Sequence, residues 1–167
     1  FFINLSEEVE RAMLEGQMED SRNIDYRARE VDKIYSLLVR QLVQGVRSQQ
    51  IASRVGLSDV IQCLGSRMVA KALRDLTRSM YKISGIAEQA HLGPSGEVKK
   101  TADLVMKLKS IYMKAYDSLL REDIKKAAEV LRDQEAFNRE VTELEISLSK
   151  LGEGPGVPAL ISLVREL

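Results

Sequence analysis

Five cations, Arg67, Lys71, Arg74, Arg78 and Lys82, recur at steps of four, three, four and four residues. On a helix that spacing sets all five along one side. Such a row can bind an anion, whether phosphate, nucleic acid or an acidic partner, with the arginines offering bidentate forks. The same row can instead pair with acids on a neighbouring helix, where each exposed pair contributes little to stability. The five residues are the candidate anion- or partner-binding site, and both uses are open at this point.

Other chemistry is sparse. Glu88-Gln-Ala-His91 has the Glu-x-x-His spelling of di-iron carboxylate bundles, in which Glu and His share a helix face. That site needs a second Glu-x-x-His and two more Glu, and the chain has a single histidine. His91 also stands beside Gly93-Pro94, where a histidine is expected to face the last carbonyls of a helix. Asp25, Glu30 and Asp32 lie among Arg27, Arg29 and Lys33 and read as a solvated face. Cys63, between Ile61 and Leu64, reads as a small core residue. There is no phosphate-cradling glycine loop and no nucleophile–histidine–acid set. We expect no catalysis, no metal and no cofactor.

Composition sets the frame for these residues. The 167 residues carry 25 Lys and Arg against 25 Asp and Glu, so the net charge is zero and electrostatic function must come from local pattern. Aromatics make up 5% with no Trp, whereas helix formers abound. The lone cysteine excludes an internal disulfide and fits a reducing, cytoplasmic setting. No apolar run approaches the roughly 18 residues of a transmembrane helix, and none follows a basic stretch as in a signal peptide. The chain begins Phe-Phe, and we expect a segment upstream of it.

The elements that must position these side chains are helical. Residues 5–15 read as a short helix with Ser6 as its cap. A long helix over about 17–47 follows, with Ile24, Ala28, Val31, Tyr35, Leu38, Leu42 and Gly45 alternating in steps of four and three. After an extra turn near 51–55, Ser58 and Asp59 cap a third helix running to about Ala90. Its expected buried stripe is Ile61, Leu64, Met68, Ala72, Leu76, Met80, Ile83 and Ala87. His91 to Gly96 is strong punctuation, and Ser95 with Glu97 opens a fourth helix to about Leu120. Asp123 caps a fifth, with Ile124, Ala127, Leu131, Phe137, Val141, Leu144 and Leu148 as its stripe. Pro158 opens a last, shortened helix over 159–167. The expected architecture is all-α: two three-helix modules, residues 1–92 and 96–167, in an antiparallel six-helix bundle whose last helix is truncated. A weak correspondence of Ile24–Val31 with Val130–Phe137 fits such a repeat.

The run Arg29-Glu-Val-Asp-Lys-Ile-Tyr-Ser-Leu-Leu-Val-Arg-Gln-Leu42 resembles the second helix of archaeal PhoU-type phosphate-uptake regulators, and the resemblance extends over nearly the whole chain. Val69-Ala-Lys-Ala-Leu-Arg-Asp-Leu-Thr-Arg78 is similar to the family's third-helix motif. The resemblance implies a cytoplasmic, non-catalytic regulator. It would be a homodimer working through a phosphate-transporter or signalling partner, with DNA engaged only through an upstream domain absent from this chain. It also implies paired carboxylates for metal. Here those positions fall at Ala28 and Asp32, at Arg74 and Arg78, and at Gln134 and Asn138, so the scaffold is expected without the metal. A metal-binding bundle, or an adaptor docking an anionic partner on the basic row, are the rival readings.

Overall fold

The computed structural model describes residues 2–15, 21–54, 56–57, 59–90, 95–151, 154 and 156–167. Within them the chain is all-helical: α1 (Phe2–Glu15), α2 (Ser21–Arg47), α3 (Gln49–Arg54), α4 (Val60–Ala90), α5 (Gly96–Leu120), α6 (Ile124–Ser149) and α7 (Val157–Glu166). The expected cap Ser58 and the His91 to Pro94 segment lie outside the described residues. So do the side chains of Ile24, Asp25 and Glu88. No described helix is long and apolar enough to cross a membrane.

The chain divides into a larger unit, residues 1–21 and 80–167, and a smaller one, Arg22–Ser79. In the larger unit α5 packs on α1 and α6, and α7 packs on α6 and α5. The helix starts follow the local chemistry. The Ser95 side chain accepts a hydrogen bond from the Val98 amide at 3.1 Å, and Asp123 accepts one from the Lys126 amide at 3.0 Å. Each satisfies an amide that the first helical turn leaves without a backbone partner. Pro158 stands in the first turn of α7, where no amide is needed. Between α5 and α6 the chain reverses in three residues, and Glu122 takes a left-handed conformation with φ 53°.

The reversal makes α5 and α6 antiparallel. Lys107 pairs with Glu140, and seven residues on, Lys114 reaches Asp133 at 2.7 Å, seven residues back. Behind these polar ties lie Val105, Leu148, Leu163 and Val164, all fully buried. Burying a side chain of this size contributes about 1.5–3 kcal/mol, so this interior outweighs the surface pairs. α1 joins the interior through Phe2, Leu5, Val9 and Met13, with the Phe2 ring centre 4.4 Å from that of Tyr112.

Three expectations are corrected. α1 begins at Phe2, and Ser6 is a buried interior residue whose hydroxyl donates to the Ile3 carbonyl at 2.7 Å. The Phe2–Leu5–Val9 stripe extends the helix past the nominal cap. On α6, Ile124 and Leu131 are 84% and 61% exposed. Leu131 and the buried Phe137 are six residues apart, roughly one and two-thirds turns, which puts them on different faces. The inward line runs instead through Val130 and Asp133 to Phe137, Leu144 and Leu148. On α4, Met80, Ile83 and Ala87 are buried as expected, but Ile61 and Met68 are 80% and 74% exposed and Leu64 is exposed with them.

The smaller unit has a slim interior. Leu42, Gly45, Ala52 and Cys63 are buried, and Val31, Tyr35 and Leu38 of α2 are half-buried. Gly45 lies close to α3: a Cβ there would be 3.6 Å from both the Ala52 Cα and the Leu57 side chain, an ordinary van der Waals contact. Gly56, with φ 74°, supplies the left-handed step that brings the Leu57 amide back to the Ala52 carbonyl at 2.9 Å.

Candidate functional site

Arg67, Lys71, Arg74 and Arg78 stand on α4 within the smaller unit, and Lys82 stands on the same helix within the larger one. The α2 residues Asp32 and Tyr35, three apart, share the face that α4 approaches. The Arg74 Nε donates to the Asp32 Oδ1 at 2.6 Å, and an Arg78 terminal nitrogen lies 3.8 Å from Oδ2. One carboxylate therefore spans two guanidinium groups one helical turn apart. The Arg74 Cζ also sits 4.8 Å from the centre of the Tyr35 ring, a cation–π placement that fixes the plane of the fork. The Asp32 hydrogen bond, joined by charge attraction, raises Arg74 above the ordinary guanidinium value despite the opposing effect of burial.

The rest of the row is distributed among acids. Lys71 bonds Asp75 one turn along the same helix, and the lysine holds that carboxyl below its usual range. Lys82 reaches Glu166 of α7, with its Nζ 3.2 Å from one carboxylate oxygen. Arg67 is exposed with no carboxylate within ion-pair distance among the described residues. The structure thus brings together Arg74 and Arg78 through Asp32, links Lys71 to them through Asp75, which lies 4.0 Å from an Arg74 terminal nitrogen, and sends Lys82 and Arg67 to separate surroundings. Sequence spacing could not identify Tyr35 or Glu166 as participants. Tyr35 read as an apolar seam residue, and Glu166 lies 84 positions from its lysine.

The positions at which resemblance places metal-binding carboxylates do not form a donor set. A hard cation needs several free oxygens, whereas the single carboxylate here is held by Arg74 and Arg78. Fixed cations at those places repel a metal. Among the described residues no group of three His, Cys, Asp or Glu gathers as a ligand cluster. Cys63 is a buried, free thiol in the interior of the smaller unit. A groove of roughly 420 Å³ between α5 and α6 is lined by residues including Lys100, Asp103, Lys107, Glu140 and Glu143. The Lys107–Glu140 pair belongs to that lining.

A second feature of the smaller unit is apolar. Val60, Ile61, Leu64 and Met68 of α4 and Ile34, Leu37, Val43 and Val46 of α2 are all exposed. Isolated exposed apolar residues are ordinary, whereas Ile61, Leu64 and Met68 recur along one side of α4 at helical spacing. No family, no curated protein and no solved structure matches the chain.

Proposed function

We propose that the chain is a non-catalytic, cytoplasmic regulator of the PhoU type that controls phosphate uptake or a phosphate-responsive signal through contact with a protein partner, as a homodimer. In this reading residues 1–92 and 96–167 descend from two three-helix repeats, the second ending in the shortened α7. The observation that carries the proposal is the pairing of Asp32 with Arg74 and Arg78. It lies where the two stretches resembling the family meet, and it replaces ligand chemistry with a fixed ionic tie. A bundle so equipped acts by packing, and the exposed Ile61–Leu64–Met68 stripe offers the surface for it. Burying such a stripe would supply the apolar core that stable protein interfaces have.

The test is direct binding between the purified chain and the ATPase subunit of the phosphate transporter, or the sensor kinase, of the same cell. Capture by the wild-type chain and its loss in the Ile61→Glu/Met68→Glu variant supports the proposal. Both positions are exposed, so the variant is expected to keep its helical content. Absence of capture by either protein overturns it.

A further inference from the structure

The zero net charge of the chain conceals a division between its two units. The smaller unit, Arg22–Ser79, holds eleven Lys and Arg against five Asp and Glu. The larger unit carries the opposite excess, twenty acids against fourteen bases. The two cation populations also differ in kind. Nine of the eleven in the smaller unit are arginine, whereas lysine leads nine to five in the larger one. Arginine is the residue whose planar fork matches the paired oxygens of a phosphate.

On the α4 row only Arg67 is without a carboxylate partner among the described residues, so the larger uncompensated part of this charge is elsewhere. It lies on α2. Arg29, Lys33, Arg40 and Arg47 follow at steps of four, seven and seven, which returns each to nearly the same side of the helix. All four are exposed. Lys33 bonds Glu30 at 2.6 Å, and the Arg40 Nε lies 3.4 Å from the Ser36 carbonyl of its own helix. Among the described residues no carboxylate lies within ion-pair distance of Arg29, Arg40 or Arg47. Tyr26, 62% exposed, stands one turn ahead of Arg29 on the same face, and Ser36 and Gln44 fill the intervals with hydrogen-bonding groups.

We propose that this face of α2 docks on the phosphate backbone of a nucleic-acid duplex. From Arg29 to Arg47 the row runs about 27 Å along the helix, on the order of eight base pairs of duplex. A line of arginines and short polar groups has the composition of a phosphate-contacting surface. Large anchors of the kind that carry affinity at protein interfaces are few on it, Tyr26 at one end and Val43 between Arg40 and Arg47. An acidic protein is therefore the weaker match for this face, and the apolar stripe of α4 is left for the protein contact proposed above. The inference does not depend on the PhoU reading, since it stands on charge and exposure alone.

Fluorescence anisotropy of a labelled mixed-sequence duplex, titrated with the full chain at several salt concentrations, tests it. The expected result is backbone-type binding, with a dissociation constant on the order of 10⁻⁴–10⁻⁶ M that weakens steeply with salt. The variant Arg29→Gln/Arg40→Gln/Arg47→Gln should lose at least about tenfold in affinity, and its log–log salt slope should shrink by about 3. The control variant Lys99→Gln/Lys125→Gln/Lys150→Gln, equal in charge change but placed on the larger unit, should bind as the wild type does. Circular dichroism confirms that both variants keep their helical content, and Arg→Lys replacements at the three α2 positions should retain the salt slope. Absence of binding by the wild-type chain, equal weakening by both Gln variants, or capture of a poly-glutamate peptide in preference to the duplex would each overturn the proposal.

Discussion

Asp32 on α2 and Arg74 on α4 are 42 residues apart in sequence, and the Nε of one lies 2.6 Å from the Oδ1 of the other. Tyr35, one turn along α2, lies with its ring centre 4.8 Å from the same guanidinium. Arg78 shares the carboxylate from 3.8 Å with a more exposed side chain. Arg74→Lys keeps the charge but forfeits the planar fork and its ring contact. We predict that it lowers the urea midpoint of the chain, and that Arg78→Lys lowers it by less. Equal midpoints for the two variants would show that charge alone holds the contact.

Acid should loosen the surface ties below the ordinary carboxylate range. Bonding to Lys126, with Arg121 second, holds Asp117 below its ordinary value, Lys109 does the same for Glu7, and Lys71 for Asp75. A carboxylate depressed in the folded state contributes stability above its unfolded pKa, about 4, and loses that contribution as pH falls through the lower folded value. Urea midpoints should therefore agree at pH 7 and pH 5 and decline below about pH 4. Asp117→Asn should make that decline shallower; an unchanged acid limb would show that Asp117 contributes nothing to it.

Leu148 and Leu131 separate the two faces of α6. Leu148 is fully buried, and Leu148→Ala should cost about 2–5 kcal/mol in equilibrium unfolding. Leu131 is 61% exposed, and Leu131→Ala should change stability by no more than about 0.5 kcal/mol. Comparable losses would mean that α6 is rotated about its axis, bringing Leu131 inward, or that a second chain covers it.

Much of the architecture is written in local signals. Ser95, Asp123 and Pro158 mark helix starts because capping depends on neighbours three or fewer residues away, and each marks the start observed. The i, i+3, i+4 pattern also recovers the second half of α4, where Met80, Ile83 and Ala87 are buried. What failed depends on tertiary context. The Ile61–Met68 stretch carries the same apolar period as Met80–Ala87, yet only the latter is buried, and periodicity alone does not say whether a stripe is covered. Leu131 went astray because the step to Phe137 is not a helical repeat. At the site, the cations on α4 were legible as a row, while their sorting onto Asp32, Asp75 and Glu166 required the packed chain. The excess charge of Arg22–Ser79 was in the sequence throughout, but a whole-chain sum cancels it, and only the division into units shows where to count.

The turn between α5 and α6 offers a stabilising change. Glu122 adopts φ 53°, a conformation in which its Cβ crowds the backbone. Glu122→Gly relieves that contact, and we predict a gain of about 0.5–1 kcal/mol in thermal or urea unfolding. A loss would show that the Glu122 side chain makes a contribution larger than its strain.

Metal content tests the central claim most directly, because an ionic tie is held to occupy the place of a ligand set. The purified chain would be incubated with iron(II), manganese(II) or zinc(II), desalted, and measured by plasma mass spectrometry beside Asp32→Ala. The predicted result is far less than one metal ion per chain in both proteins. Near-stoichiometric metal in the wild type, lost on Asp32→Ala, would contradict it.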